Sequence, residues 1–354
     1  MSKCRLLWLL LIAAVLVGTP GCSTFVAHRI AQAPNTYPTW FAPKARVELG
    51  FSSGFLTNFP AKMVTVGPPA AKLRYRVVEP ADYNLKVWST NWIERGEEQF
   101  DFSFGADLRA KSNAWTGAPR GTVVLLHGYG VAQFAMAPWA MRLAQEGWRC
   151  VLVDLRGHGK STGRRIYFGV QEVRDLGQLL DELTRDGELH GPVMAMGESY
   201  GAALALRWEA TDPRVRAVVA IAPYAELATA VINIGRDYAS WVPSSLLRAG
   251  MRKLPAVLDL PADELDTTTV LTRSPVAALF VAGTADKVTP LADVQRLESL
   301  AASGSKLVVV PKATHEAVTY FFDQLAAPVT DWLAQEKVVA SAPASPKIMS
   351  VGQR

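Results

Sequence analysis

The chain has little of what several large classes of protein depend on. Its three cysteines among 354 residues are too few for a disulfide framework and lack the spacing of a zinc site. Charged residues make up only 19% of the chain, the net charge is a mild +5, and no Lys/Arg cluster is interleaved with aromatic residues. Nucleic-acid binding is therefore not expected. The hydrophobic content of 49% instead indicates a globular protein with a sizeable core.

The N-terminus contains a hydrophobic run that is too short to span a bilayer. Lys3 and Arg5 precede an apolar stretch over residues 6–17, and small residues then lead to Cys22. A basic start, a short apolar stretch and small residues at its end are the parts of a secretory signal peptide. Because it ends at a cysteine, this segment resembles a bacterial lipoprotein signal, which implies a signal peptide over 1–22 and lipidation of Cys22. Ordinary cleavage and an uncleaved anchor are the alternatives.

The same resemblance implies a location for the mature protein. We expect it on the periplasmic side of a bacterial cell envelope, attached to a membrane through a lipid on Cys22. Ser23 follows the cysteine where an aspartate would favour the inner membrane, so the outer membrane is the expected location.

From residue 121 onward, short apolar segments alternate with helical ones. The predicted strands are 122–126, 150–153, 193–196, 215–221, 277–281 and 306–310. This alternation predicts an α/β fold with a doubly wound, mostly parallel sheet. Such sheets bind ligands at the carboxyl ends of their strands, so the residues that directly follow each strand are the candidates for function.

The domain boundaries follow from the places where this alternation stops. Residues 224–272 contain amphipathic runs but no strand pattern, which predicts a helical cap over the carboxyl edge of the sheet. The predicted core then comprises residues 72–223 and 273–336. The Ala/Pro/Ser-rich tail over 337–354 is predicted to be disordered. The proline-rich residues 23–71 are predicted to form an irregular tether and lead-in.

Three alternating segments precede the core strands. Residues 73–78, 85–88 and 99–104 alternate between apolar and polar side chains, which predicts strands. We expect them to form the antiparallel edge of the sheet.

A serine between two glycines follows the predicted strand at 193–196. Gly197, Ser199 and Gly201 form the pattern G-x-S-x-G, and a helical segment begins directly after it. This is the pattern of a nucleophile elbow, a tight strand-to-helix turn that exposes a serine hydroxyl. Side chains at the two glycine positions would collide with the neighbouring strand or helix, and the turn strains the serine backbone. Glu198, next to the serine, is expected to shape the turn.

An acid and a base follow the serine in the order that this architecture requires. Asp286 comes just after the strand at 277–281, and His315, the only histidine after Ser199, follows the strand at 306–310. Each alone has the simpler interpretation of a surface-loop residue, but together they complete the order Ser, Asp, His on three strand-end loops. Weaker acid candidates lie in the predicted cap and follow no strand: Asp259, Asp263 and Asp266.

Two further loops follow strands earlier in the chain. Gly128 and Gly130 follow the first predicted core strand and allow the backbone to approach a substrate oxygen, so the backbone N–H groups of Tyr129 and Tyr200 are candidates for an oxyanion hole. His127 in the same loop is expected to brace the turn. A second loop contains Asp154, Arg156 and His158. It is expected to be structural, although His158 is the main rival of His315 as the base.

These motifs together resemble the α/β-hydrolase superfamily, and within it the branch of lysophospholipases, monoacylglycerol lipases and serine-aminopeptidase-like enzymes. The resemblance covers about residues 72–335. It rests on the motifs at 127–130, 154–159, 197–201, 283–286 and 315. The elbow reads Glu-Ser-Tyr where lipase-like members often have His-Ser-Met.

The resemblance implies a serine hydrolase that cleaves lipid-like or small acyl esters through an acyl-enzyme on Ser199. It implies Asp286 as the acid, His315 as the base, a small-molecule ester as the substrate, and no metal or cofactor. A peptidase or amidase of the serine-aminopeptidase type is the alternative within enzymes. A catalytically inactive envelope lipoprotein that binds a ligand or partner is the alternative of another class. No oligomeric state is predicted.

Overall fold

Strands and helices alternate along most of the chain. The computed structural model describes residues 20–36, 48–49, 53–94, 97–106, 115 and 117–340. The strands are β1 (Glu48–Leu49), β2 (Ala61–Val66), β3 (Ala71–Val78), β4 (Lys86–Glu94), β5 (Glu97–Gly105), β6 (Thr122–Leu126), β7 (Arg149–Asp154), β8 (Val193–Glu198), β9 (Val215–Ile221), β10 (Ala278–Gly283) and β11 (Lys306–Val310).

Helices connect these strands. The α-helices are α1 (Pro20–Ala31), α2 (Ala137–Gln145), α3 (Glu172–Arg185), α4 (Tyr200–Thr211), α5 (Leu227–Tyr238), α6 (Ser244–Leu258), α7 (Thr267–Arg273), α8 (Leu291–Leu300) and α9 (Phe322–Ala340). Short 3₁₀ segments lie at Pro34–Thr36, Ser53–Asn58, Gln133–Met136, Ala262–Leu265 and Val318–Tyr320. Among the described residues, no helix is both long and apolar enough to cross a membrane.

Eight of the strands form one mostly parallel sheet. Its order is β11-β10-β9-β8-β6-β7-β3-β2. Neighbours from β11 to β7 pair in parallel, whereas β3 pairs antiparallel with both β7 and β2. The doubly wound α/β fold predicted from the sequence is therefore the fold of the protein. All six predicted core strands are present.

Helices cover both faces of this sheet. In β6, Val124 and Leu126 face the apolar cluster that includes side chains of α3, α4 and α8. Val123 and Leu125 face the opposite cluster, which includes side chains of α2 and α9. Because successive side chains of a strand point to opposite faces, a continuous apolar run fits a strand that is buried on both sides.

Of the three segments expected at the antiparallel edge of the sheet, only residues 73–78 lie there, in β3, which pairs antiparallel with β2 and β7. β4 and β5 pair with each other, and β1 pairs with β5. These three strands form a separate sheet and are not part of the main sheet. Phe102 of β5 is buried against the rings of Tyr320 and Phe322, with centroids 4.7 and 5.7 Å away. This hairpin thus buries its apolar face on the start of α9. The edge strand on the antiparallel side of the main sheet is β2, which lies in the segment predicted to be irregular.

The lead-in is also more ordered than expected. Residues 20–31 form α1, and α1 packs against α6. Ala27 and Ala31 on α1 are fully buried, so their small side chains allow the helix to lie close to its neighbours. Of the predicted signal peptide, residues 1–19 lie outside the described residues, as do residues 341–354 of the predicted disordered tail. Residues 337–340 continue α9.

The predicted cap segment contains three helices. α5 and α6 pack on each other, and α7 packs against α4 of the core. Leu271 of α7 is fully buried in the same apolar cluster as Leu204 of α4. α7 therefore lies across the predicted boundary between cap and core at residue 272.

Candidate active site

The turn between β8 and α4 is as tight as the sequence predicts. Ser199 has φ +51° and ψ −110°, a conformation that costs free energy for any residue with a side chain. A Cβ at Gly197 would overlap the Gly201 carbonyl, and a Cβ at Gly201 would overlap the Leu126 carbonyl. The Ser199 amide donates to the Ile221 carbonyl at 2.7 Å, which ties the strained turn to β9. Both glycines are therefore required sterically.

His315 lies between Ser199 and Asp286. Its Nε2 atom is 2.8 Å from Ser199 Oγ, and its Nδ1 atom is 2.8 Å from Asp286 Oδ2. The loops after β8, β10 and β11 thus bring these three side chains together at the carboxyl edge of the sheet. Burial lowers the pKa of His315, but the charge of Asp286 and its hydrogen bond to the imidazole outweigh that effect, so the pKa is raised above its ordinary value.

The carboxylate of Asp286 is held by its own loop. Oδ1 accepts from the backbone N–H groups of Val288 and Thr289, at 2.8 and 2.7 Å. Oδ2 accepts from the Thr289 hydroxyl at 2.8 Å, beside its bond to His315. The side chain of Asp286 is completely buried. Thr289 therefore holds the carboxylate of Asp286 in place. The sequence analysis missed this residue, because only the folded turn brings its hydroxyl to the carboxylate.

Glu198 is a second carboxylate near the imidazole. Burial raises its pKa to about 7, the charge of His315 opposes this shift, and the charge of Glu316 adds to it. Among the described residues, its Oε2 atom has no hydrogen-bond partner. Its Cδ atom would lie 3.9 Å from a Cβ placed on Gly128, so the side chain lies beneath the loop that follows β6.

The loop after β6 runs beside the serine. A Cβ on Gly128 would lie 3.7 Å from the Ser199 Cβ, and Gly130 adopts φ +76°, which favours glycine. His127 braces this loop: the Leu155 N–H donates to its Nε2 at 3.0 Å, and its Nδ1 lies 2.8 Å from the Gly128 carbonyl. Burial lowers the pKa of His127 to about 4, so its ring is neutral.

The two residues predicted for the oxyanion hole lie at this junction. Tyr200 is the first residue of α4, where backbone N–H groups have no acceptor within the helix. Tyr129 follows Gly128 in the neighbouring loop, and both tyrosines line the same cavity as Ser199.

The loop after β7 is held by internal contacts. Arg156 donates two hydrogen bonds to Asp175, at 2.7 and 2.8 Å, and both side chains are buried. Asp154 accepts from the Lys160 N–H of this loop at 3.0 Å and from the Gln133 N–H of the segment after β6 at 2.9 Å. His158 bonds to the Arg156 carbonyl at 2.9 Å instead of to Ser199, and burial lowers its pKa to about 3. The structure thus places this rival histidine in a bracing position.

The rival acids have other partners. Asp266 accepts from the Leu227 N–H at 2.9 Å, and Asp263 forms an ion pair with Arg273. Asp259 adopts a left-handed conformation at the C-terminal end of α6. The hydrogen bond of His315 goes to Asp286.

An apolar cavity of about 840 Å³ opens above Ser199. Its volume lies within the range of about 300–1,000 Å³ that is usual for small-molecule sites. The lining comes from the strand-end loops, from α5 and α6, and from α1. The contribution of α1 was missed by the sequence analysis. The sequence does carry a signal for this contribution, since the lining residues recur every four positions, which is typical of one helix face. They are Cys22, Val26 and Ile30.

No group of three or more His, Cys, Asp or Glu side chains within the described part of the chain is arranged to hold a metal ion. Cys22 and Cys150, the cysteines in this part, are not joined in a disulfide.

Comparison with known proteins points to one fold and several activities. The family model for serine aminopeptidase, S33, matches residues 117–270. A monoacylglycerol lipase from Mycolicibacterium smegmatis is 26% identical over 129 residues, which are 34% of this chain and 44% of that protein. The match therefore spans less than half of this relative.

Solved structures extend the likeness over most of the chain. The match to the esterase Pf2001 from Pyrococcus furiosus covers 81% of this chain and 97% of the esterase, with 20% identity and a TM-score of 0.55. Est1E from Butyrivibrio proteoclasticus, solved with ferulic acid, covers 78% and 99%, with 13% identity and a TM-score of 0.52. At these identities the likeness establishes the fold.

Proposed function

We propose that the protein is a serine hydrolase of the α/β-hydrolase superfamily that cleaves carboxylic esters through an acyl-enzyme on Ser199; the family match over residues 117–270 and the shared fold support this proposal. The observation that carries this proposal is the continuous hydrogen-bonded chain from Ser199 Oγ through His315 to Asp286, with 2.8 Å at each step. A nucleophile, a base and a group that orients the base are the minimum that this chemistry requires.

In the proposed reaction, His315 Nε2 accepts the hydroxyl proton as Ser199 Oγ attacks the ester carbonyl. Asp286 keeps the other proton on Nδ1 and stabilises the imidazolium. The backbone N–H groups of Tyr129 and Tyr200 donate to the oxyanion, and each donor is worth about 3 kcal/mol of the barrier. His315 then protonates the leaving alcohol, and a water molecule repeats the sequence to release the acid. These steps need no metal or cofactor.

The lining of the cavity favours an ester with an apolar acyl group. Arg29 is the only charged side chain that lines the cavity in the described part of the chain. An aminopeptidase substrate carries a protonated α-amino group, for which a carboxylate would be the natural partner. The family match to serine aminopeptidase makes amide hydrolysis the second candidate, and aminoacyl amides compared with p-nitrophenyl esters separate the two activities.

The test of the nucleophile is the variant Ser199→Ala. We expect it to lose both labelling by a fluorophosphonate probe and hydrolysis of p-nitrophenyl butyrate, because the hydroxyl is the attacking group. Ser299→Ala is the matched control, since Ser299 is exposed on α8. Labelling that persists in Ser199→Ala would contradict the assignment. A folded wild-type protein that neither reacts with the probe nor hydrolyses an ester or amide would instead support an inactive binding protein.

We also propose that the mature protein is anchored in the bacterial cell envelope by a lipid on Cys22, on the periplasmic side of the outer membrane. This part of the proposal is supported by the basic start, the apolar run and the cysteine within residues 1–22. The substrate would then be a small ester that is accessible from the membrane surface.

A further inference from the structure

We propose that α1 is one wall of an acyl-chain pocket and that Ile30 on this helix limits the length of the acyl chain that the protein accepts. The proposal rests on ester hydrolysis at Ser199 as proposed above. It assigns a role in specificity to an N-terminal segment that lies outside the residues 117–270 matched by the family model.

One face of α1 is turned toward the cavity. Cys22, Val26 and Ile30 line it and follow one another at intervals of four residues, so they form one stripe on the helix. The helix rises about 1.5 Å per residue, so this stripe extends about 12 Å from Cys22 to Ile30. Ala27 and Ala31 are fully buried against the rest of the protein. The helix is thus held on one side and presents side chains to the cavity on another.

Hydrogen bonds fix the end of α1 to the core. The Ile166 N–H donates to the Ala31 carbonyl at 3.0 Å, and the Ala33 N–H donates to the Arg164 carbonyl at 3.1 Å. The Asn35 side chain donates to the Ser161 carbonyl at 2.7 Å. Backbone bonds of this kind set the position of the wall within the fold.

The rest of the lining is apolar as well. Leu246 and Leu247 of α6 and Ile234 of α5 also line the cavity. Arg29, the one charged lining residue, is hydrogen-bonded to Gln32. A hydrocarbon chain therefore fits this space chemically, and each methylene that it buries is worth about fourfold in affinity. When the ester carbonyl lies at Ser199, the acyl chain would lie in the cavity with α1 as one of its walls.

The experiment adds bulk at Ile30. In Ile30→Trp, we expect the ratio of kcat/KM for p-nitrophenyl palmitate to that for the butyrate to fall at least about tenfold, because the larger side chain displaces several methylenes of the long ester. His28→Trp is the matched control. His28 is exposed on the same helix and does not line the cavity, so its ratio should equal that of the wild type. An unchanged ratio in Ile30→Trp overturns the proposal.

Ile30→Phe, a smaller change, should shift the ratio in the same direction by less, and it carries the test if the tryptophan variant does not fold. If the wild type hydrolyses no ester, the proposed function fails, and the wall is then tested by binding of a fluorescent long-chain fatty acid. Weaker binding to Ile30→Trp than to His28→Trp supports the pocket, and equal binding overturns it.

Discussion

At the scale of single residues, His315 is held near two carboxylates of different character. Asp286 is hydrogen-bonded to the imidazole and to three donors of its own loop, whereas Glu198 acts on it only through space. The negative charges of these two carboxylates, and that of Asp237, favour the imidazolium and therefore raise the pKa of His315. Because the proposed reaction needs a neutral imidazole, these charges set the pH at which activity begins.

The rise of activity with pH, the ascending limb of the profile, should therefore occur at a higher pH than an ordinary histidine would give. We expect kcat/KM for p-nitrophenyl butyrate to rise with pH through a pKa above the ordinary histidine value of about 6.5, since His315 must lose its proton to act as the base. A limb centred below that value would contradict the electrostatic environment described for His315.

Glu198→Gln should move this limb to lower pH. The substitution removes a carboxylate whose negative charge, present once Glu198 ionises near pH 7, favours protonated His315, so the pKa of the imidazole should fall. Glu298→Gln makes the same chemical change on α8, and the limb of this control should match that of the wild type. If the limb of Glu198→Gln does not move, Glu198 shapes the turn without acting on the base.

At the scale of elements, α1 and α6, which both line the cavity, pack closely against each other. A Cβ on Gly250 of α6 would overlap the Val26 side chain of α1. The glycine therefore allows the two helices to approach closely. Elsewhere in a helix, replacing glycine by alanine stabilises the fold by about 1 kcal/mol.

Gly250→Ala should destabilise the fold instead of stabilising it. Because the added methyl group would overlap Val26, we expect a loss of about 1–3 kcal/mol of unfolding free energy, measured by urea denaturation. The double variant Gly250→Ala/Val26→Ala removes the Val26 Cγ1 methyl group, which makes the closest contact, and should lose less than the sum of the two single changes. Strict additivity would mean that the helices do not meet at this point.

Much of the fold and of the site could be predicted from the sequence, for identifiable reasons. The strands β6, β7, β8 and β10 contain apolar runs because they are buried on both faces, and Ser199 and Asp286 follow two of them. His315 follows β11, an edge strand that keeps the apolar pattern although it is partly exposed. The segments before the core lack such a constraint. Period-two alternation indicates a strand but not its partner, so β4 and β5 were assigned to the wrong sheet.

The spacing of Cys22, Val26 and Ile30 in α1 is typical of one helix face, but local pattern does not indicate what that face lines. This helix begins within the predicted signal peptide, and its packing partner Gly250 is distant in sequence. The small side chains Ala27 and Ala31 are consistent with close packing but also with an unstructured tether. Only the three-dimensional contact with α6 distinguishes the two.

At the scale of the whole molecule, the proposed anchor and the proposed pocket meet. Cys22 lines the cavity above Ser199, and so do Phe25 and Trp241, which are 65% and 77% exposed. Exposed aromatic side chains beside a lipidated residue would lie at the membrane surface, where such side chains are stabilised. The anchor would therefore hold the mouth of the cavity at the membrane.

This arrangement predicts the behaviour of Cys22→Ala. In cells that express the full chain, we expect the variant to leave the membrane fraction and to incorporate no radiolabelled palmitate, since the acceptor thiol is absent. The wild type should be labelled and sediment with membranes. A labelled, membrane-bound Cys22→Ala protein would contradict the anchor at this residue.

The most direct test of the whole account is to locate the nucleophile chemically. The wild-type protein is reacted with a fluorophosphonate, digested, and the adduct is mapped by peptide mass spectrometry. The account predicts a single adduct on Ser199, which lies 2.8 Å from His315 Nε2 and is the serine placed at the strained turn. An adduct on another residue, or a folded protein with none, would contradict it.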